Sequence, residues 1–84
     1  MHIVLVKWID AVVRDGWRAM TEACSSELAM SYAAGFLVKQ DDTSITISLL
    51  MALEGDHCST WVNIPTENVV SMDIITEVKP DGKH

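Results

Sequence analysis

The side chains best suited to chemistry in this sequence are an adjacent histidine and cysteine, His57 and Cys58, with His2 and Cys24 as further candidates. Structural zinc sites usually show two close ligand pairs, and the sequence has only this one. The same pair would place a nucleophile beside a base, but adjacent side chains on a strand point to opposite faces. We therefore predict neither a metal site nor a catalytic cysteine.

Two acidic clusters could act as acid and base or bind a cation: Asp41-Asp42, and the loop that contains Glu54 and Asp56. Both fall in predicted turns, where aspartate is favoured because its side chain hydrogen-bonds the nearby backbone. The four glycines are spread along the chain, so the sequence has no phosphate-binding loop. We predict a protein that is not an enzyme and needs no cofactor.

The two cysteines, Cys24 and Cys58, lack the CxxC spacing and are too few for a disulfide framework. Free cysteine is among the most deeply buried residue types, so both are predicted to be small apolar side chains of the interior. A disulfide between them is the alternative.

The tryptophans are the most informative side chains for recognition. Three in 84 residues are more than a small core easily hides, and tryptophan is enriched at binding surfaces. Trp17 begins a helical stripe and is predicted to lie in the core, whereas core and interface are equally supported for Trp8 and Trp61. The candidate interface residues are Trp8, Asp10, Phe36 and Trp61.

The first part of the chain predicts a strand and then a helix. The run from His2 to Val13 is rich in valine and isoleucine, which is typical of a buried strand. Apolar residues then recur at helical spacing, which predicts a helix over about 16 to 24 with Asp15 as its N-cap. The stripe comprises Trp17, Met20, Cys24 and Leu28. A break near Ser25 or Ser26 and a strand entering around Ser31 should follow, although propensity alone would extend the helix to Ala34.

The segment from Gly35 to Glu77 predicts consecutive antiparallel strands. A turn at 40–43 precedes the alternating residues of Ile45–Met51, and a polar loop at 54–57 leads to Trp61–Ile64, which makes two hairpins.

A corner at Pro65–Asn68 leads to a final strand in which Val70, Met72 and Ile74 share one face. The predicted fold is mainly β, in the α+β sense: a small five-stranded antiparallel barrel or strongly bent sheet, with one short helix between strands 1 and 2. Residues 1–78 form a single domain, and 79–84 a flexible tail.

Part of this segment resembles the Sm-like and SH3-like small barrels. Gly35, Leu37 and Asp41 stand at the spacing of the first Sm motif, with one extra residue in the turn before Ile45-Thr46-Ile47. Hydrophobic positions of the second motif are filled by Ile64, Val69 and Met72. The resemblance implies a five-stranded barrel that forms rings with nucleotide or RNA pockets at subunit boundaries.

Three positions depart from the Sm pattern. Pro65 and Thr66 stand where the family has arginine and glycine, and Thr46 replaces the asparagine of its base pocket. The residues that would bind RNA are therefore missing.

A second resemblance, to small phage and prophage proteins, rests on short motifs along the whole chain. These are Trp8 and Asp10 ahead of Trp17, then Gly35-Phe36-Leu37-Val38 and Ile64-Pro65. It implies a phage-encoded protein that acts on a host factor.

Composition limits the partners. Six basic and twelve acidic residues give a formal charge of −6, which repels nucleic-acid phosphates and disfavours general DNA binding. An apolar fraction of 49 per cent exceeds what a small monomer core needs and favours self-association. No apolar run approaches the length of a spanning helix or a signal segment, so we predict no membrane partner and a cytoplasmic location, in the host if the protein is phage-encoded. The sequence thus favours a homo-oligomeric protein-binding module, and the alternative is an Sm-like ring that binds nucleotides or RNA.

Overall fold

The computed structural model describes residues 1–11 and 16–79. Its elements are β1 (His2–Asp10), α1 (Met20–Cys24), β2 (Ala29–Gln40), β3 (Ser44–Met51), β4 (Cys58–Pro65), a 3₁₀ turn (Thr66–Asn68) and β5 (Val69–Glu77). All five strands belong to one sheet, in the order β4-β3-β2-β1-β5, and every neighbouring pair is antiparallel. The predicted mainly-β fold, both hairpins and the short helix between the first two strands are confirmed.

No ladder joins β4 to β5 within the described chain, so the sheet is not closed into a barrel by strand pairing. These two edge strands are consecutive in sequence and are linked by the 3₁₀ turn.

The helix is shorter and less buried than its apolar stripe predicts. It begins at Met20 with Ala19 in the N-cap position and ends at Cys24, which confirms the break at Ser25. Trp17 precedes the helix and is fully exposed, so its predicted place in the core is wrong. Cys24 is exposed as well, and β2 already begins at Ala29 rather than near Ser31. Asp15, the predicted N-cap, lies outside the described residues, as do the end of the predicted first strand at Val13 and most of the predicted tail.

A small set of β-branched side chains forms the core. The buried apolar residues are Val4, Val6, Ile45, Ile47 and Ile64. Partly buried Trp8, Val69 and Met72 pack against them. Val69, not Val70, pairs with Trp8, because the register of β5 shifts between Trp8 and Lys7. Val70, predicted to share one face with Met72 and Ile74, lies at this shift and is exposed.

Hydrogen bonds from the 3₁₀ turn show that β2 curves strongly. Thr66 Oγ1 donates to the carbonyl of Asp41, just beyond the end of β2, at 3.0 Å. Two residues later, Asn68 Nδ2 donates to the carbonyl of Ile9, at 3.2 Å, and Ile9 pairs with Met30 near the start of β2. A straight strand would hold these two ends of β2 about 35 Å apart. The strand must therefore bend so that one short turn contacts both.

Gly35 is the residue of β2 that β3 approaches closely. A Cβ atom built there would be 2.5 Å from the backbone oxygen of Ser48 and 2.8 Å from Cγ2 of Ile47. β3 pairs with β2 only from Phe36 onward along β2, so Gly35 is the residue just beyond this ladder. Absence of a side chain allows β3 to cross this close to β2.

Asp41 organises the turn between β2 and β3. Its Oδ1 atom accepts hydrogen bonds from the N–H and hydroxyl of Thr43 and from the N–H of Ser44, at 2.8–2.9 Å. The Ser44 N–H, followed by the two Thr43 donors and Lys39, lowers the pKa of this carboxyl well below its usual range. The conformational role that the sequence predicts for an aspartate in this turn is what the structure has.

We expect Asp41→Ala to lower the melting temperature by several degrees, because three donors would lose their acceptor. Asp41→Asn, which keeps an acceptor oxygen without the charge, should have an intermediate effect. Thermal unfolding followed by circular dichroism at neutral pH measures both. Asp42→Ala is the matched control, since Asp42 is the next residue and equally exposed; a loss as large as that of Asp41→Ala would contradict the assignment.

The same carboxylate makes stability depend on pH. Its pKa is lower in the folded than in the unfolded state, so its contribution is complete above the unfolded value of about 3.9 and is lost as the pH falls below it. The difference in melting temperature between wild type and Asp41→Ala should therefore shrink below about pH 4. A difference that stays constant down to about pH 2 would mean that the charge contributes nothing.

Candidate interaction surfaces

Two of the predicted interface residues, Phe36 and Trp61, lie in one row across the sheet. Both are register partners of Ser48, one on each side of β3, and Ile3 continues the row on β1. This row faces away from the core, because the next residues along β1 and β3, Val4 and Ile47, are buried in it. Trp61 is 60% exposed.

The backbone beside Trp61 is unusual. Thr60 adopts a left-handed conformation, with φ of 59°, which a β-branched residue rarely does. The hydroxyl of the fully buried Ser48 is 2.8 Å from the carbonyl oxygens of both Leu50 and Ser59, where β3 and β4 deviate from a regular ladder. Ser48 thus links the two strands, and the strained Thr60 lies next to the exposed indole.

The other two predicted residues, Trp8 and Asp10, lie on the core face of the sheet, since every second residue of β1 from Val4 and Val6 onward points to that face. Trp8 packs against the core, and its buried Nε1 atom has no hydrogen-bond partner among the described residues. Asp10 accepts a hydrogen bond from the N–H of Ala11 at 2.8 Å. The four candidates thus form two separate pairs rather than one site.

Thr46, which stands where Sm proteins have a base-binding asparagine, is not available to a ligand. Its side chain is buried, and its hydroxyl donates to Oδ1 of Asn63, its partner on β4. The missing base-pocket residue is therefore replaced by an internal contact.

A surface that the sequence does not predict is the segment of residues 16–28, here called the arm, which connects β1 to β2. Every residue in it is exposed, and α1 buries none. It presents Trp17, Met20 and Leu28, and the exposed side chains of Met30 and Tyr32 follow on one face of β2. Apolar residues spaced at three and four positions indicate that one face of a helix is covered. The spacing does not say whether the covering surface belongs to the same chain or to another.

The two edges of the sheet form a further surface. β4 pairs only with β3, and β5 only with β1. On the outer side of each of these strands, no strand of the described chain pairs with the backbone N–H and C=O groups. β5 also exposes two consecutive apolar side chains, Ile74 at 59% and Ile75 at 58%. The register of β5 shifts beside them, between the partners of Ile3 and Val4, which adds Ile75 as an extra residue.

The loop before β4 contains one histidine–carboxylate contact. Nδ1 of His57 lies 3.0 Å from a carboxylate oxygen of Asp56, and this contact raises the pKa of the imidazole and lowers that of Asp56. Cys24 and Cys58 are both free thiols, and Cys58 is only half-buried. Among the described residues, no three His, Cys, Asp or Glu side chains are grouped to hold a metal ion.

No helix in residues 1–11 and 16–79 combines the length and apolar character needed to cross a membrane. Comparison of the chain with protein-family models, curated proteins and solved structures found no match.

Proposed function

We propose that the protein is a non-enzymatic assembly module that forms homo-oligomers through its sheet edges and binds a protein partner. The observation that carries the proposal is the unpaired edge of β5 together with the exposed Ile74 and Ile75. An edge strand with exposed apolar side chains is a template for pairing with another strand.

A second copy is a fitting occupant of this edge because the chain offers both halves of the contact. β4 of one copy can pair with β5 of the next, which is a heterologous contact that closes into a ring when the rotation allows it. Because β2 is curved, the sheet of each subunit is bent. Strand pairing between copies would give β4 and β5 the neighbours that a closed barrel would provide.

Charge supports the choice of surface. With a formal charge of −6, two copies repel each other at long range, so self-association needs contacts that are apolar and locally neutral. The stretch Ile74-Ile75-Thr76 carries no charge, and the net charge of the arm is only −1, from Arg18, Glu22 and Glu27. Arg18 and Glu22 also pair with each other, with 3.1 Å between Nη1 and Oε1.

The test of self-association is a charge placed on the exposed edge. Ile75→Glu should weaken association at least about tenfold, because it removes a buried apolar contact and puts a carboxylate in its place. Light scattering and sedimentation over a concentration series measure the change. Gln40→Glu is the matched control, since it adds the same charge at an exposed position of β2, which is not an edge strand.

Two results would overturn this proposal. One is a strict monomer for the wild type at high concentration. The other is equal weakening by both glutamate variants, because that would assign the effect to net charge rather than to the apolar contact.

The arm is the surface that we assign to the protein partner, which for a phage-encoded chain would be a cytoplasmic host factor. Exposed tryptophan and methionine are typical anchor residues of protein interfaces. A Trp17→Ser variant should lose a partner that the wild type captures, with its oligomeric state unchanged, and retention of that partner would remove the arm from the interface.

Nucleotide binding at subunit boundaries is the second candidate. Its support is the row that holds Phe36 and the exposed Trp61, because aromatic faces can stack bases without a net positive charge. Two observations disfavour nucleotide binding. The side chain of Thr46 is occupied by an internal hydrogen bond, and the formal charge of −6 repels phosphate groups. A panel of nucleotides and oligonucleotides that leaves the thermal midpoint unchanged would dismiss it.

A further inference from the structure

The hairpin of β3 and β4 pairs two residues whose side chains contain sulfur. Met51 and Cys58 are direct partners across the two strands. The N–H of Ala52 donates to the carbonyl of His57 at 2.8 Å, which makes Ala52 and His57 a hydrogen-bonded pair. Pairs alternate along an antiparallel ladder, so Met51 and Cys58 form a non-hydrogen-bonded pair, the kind with Cα atoms about 4.5 Å apart and close side chains on one face.

Two more donors line the same cavity. A cleft of about 230 Å³ is bordered by Met1, Met51, His57 and Cys58. Met1 is held there by its carbonyl, which accepts a hydrogen bond from the N–H of Val78 at 2.7 Å. The cleft is therefore lined by residues that carry two thioethers, one thiol and one imidazole. His57 precedes β4, which begins at Cys58, so the alternation of strand side chains does not separate these two residues.

The imidazole is already oriented. Nδ1 of His57 lies 3.0 Å from Oδ1 of Asp56, so its Nε2 atom is the one left for a ligand. A carboxylate behind a histidine is the usual outer partner of a metal-binding imidazole, because it fixes the tautomer and the ring orientation. Sequence spacing alone does not indicate this cluster, since Met1 and Met51 are distant in sequence and thioethers are absent from zinc motifs.

We propose that this cleft binds a soft monovalent cation, Cu(I) in chemical class, through the sulfur atoms of Cys58, Met51 and Met1 with His57 as a further ligand. Thiolate and thioether ligands select soft ions over Mg²⁺ or Ca²⁺, which prefer oxygen. Binding forms a metal–sulfur bond as the thiol of Cys58 loses its proton to solvent, so no electron is transferred and one proton is released per ion.

Ag(I) is the probe, because it shares the ligand preference of Cu(I) and is not oxidised in air. The wild-type chain should bind one equivalent at this site in a calorimetric titration, with release of about one proton. Cys58→Ser should abolish that event, and Met51→Leu should weaken it at least about tenfold. Cys24→Ser is the matched control, since Cys24 is a free, exposed thiol on α1 and should leave the event unchanged.

His57→Gln serves as the variant that cannot fail by unfolding, because the imidazole is largely exposed. It should weaken Ag(I) binding while its circular dichroism spectrum stays the same as that of the wild type. Equal binding by the wild type and Cys58→Ser would overturn the proposal. So would two equivalents that divide evenly between Cys24 and Cys58 with no effect of Met51→Leu, because each thiol would then act alone.

Discussion

Gly35→Ala is expected to destabilise the fold by about 2–3 kcal/mol, a large fraction of the total stability of a domain of this size. The added methyl group would meet the backbone oxygen of Ser48 at 2.5 Å, and a backbone atom cannot move aside as a flexible side chain can. β3 would have to shift away from Gly35, which pulls Ile47 out of its place in the core. Urea unfolding followed by tryptophan fluorescence measures the change.

Ala34→Val is the control for Gly35→Ala. Ala34 is the preceding residue on the same strand, is exposed, and alternates to the other face of the sheet. Added volume there should change stability by no more than about 0.5 kcal/mol. If the two substitutions changed the free energy of unfolding by similar amounts, β2 would respond to added side-chain volume in the same way at both positions. The close approach of β3 to Gly35 would then have no special role.

Ile64→Ala should cost about 3 kcal/mol, because it removes a fully buried side chain from a core of few residues. Ile64 pairs with Ile45 and is the one fully buried residue of β4, so it is the main apolar attachment of that edge strand. We expect the melting temperature to fall by roughly 10 °C or more. Loss of this attachment should also weaken self-association, since β4 supplies one side of the proposed contact between copies.

Val38→Ala is the comparison for Ile64→Ala. Val38 is also β-branched but is 44% exposed and lies where the register between β2 and β3 shifts. Its truncation should cost less than about 1 kcal/mol. If both truncations cost the same, burial on β4 would not be what anchors the strand.

Local patterns predicted the hairpins well. Alternation from Ile45 to Met51 and the turn residue Asp41 depend on neighbours in sequence, and the strand and the turn both form as predicted. The single inward face predicted for this strand is wrong, because Ile45–Ser48 are all buried and Leu49 is exposed. The break after Cys24 is also local, since Ser25 caps the helix. The prediction that Trp17 lies in the core was wrong for a different reason. Helical spacing shows that one face is apolar but not which molecule covers it.

Strand register accounts for the other differences between the predicted and the observed structure. Phe36 and Trp61 share a row only because both lie opposite Ser48, which depends on pairings between distant segments. A shift of one residue, as at Val69 and Val70, reverses which side chain faces inward. The edge surfaces and the sulfur cluster follow from the same pairings, so composition could indicate a partner without locating it.

The 3₁₀ turn also determines how the chain must fold. Its two side-chain hydrogen bonds join residues 25 and 59 positions apart in sequence. Neither hydrogen bond can form until β2 has bent and β1 has paired with it. The entropy of closing these loops is therefore lost before the hydrogen bonds can compensate for the loss. Assembly of the chain is thus dominated by non-local steps, which places it among the slower-folding small domains and leaves unpaired strands exposed while the turn is still open.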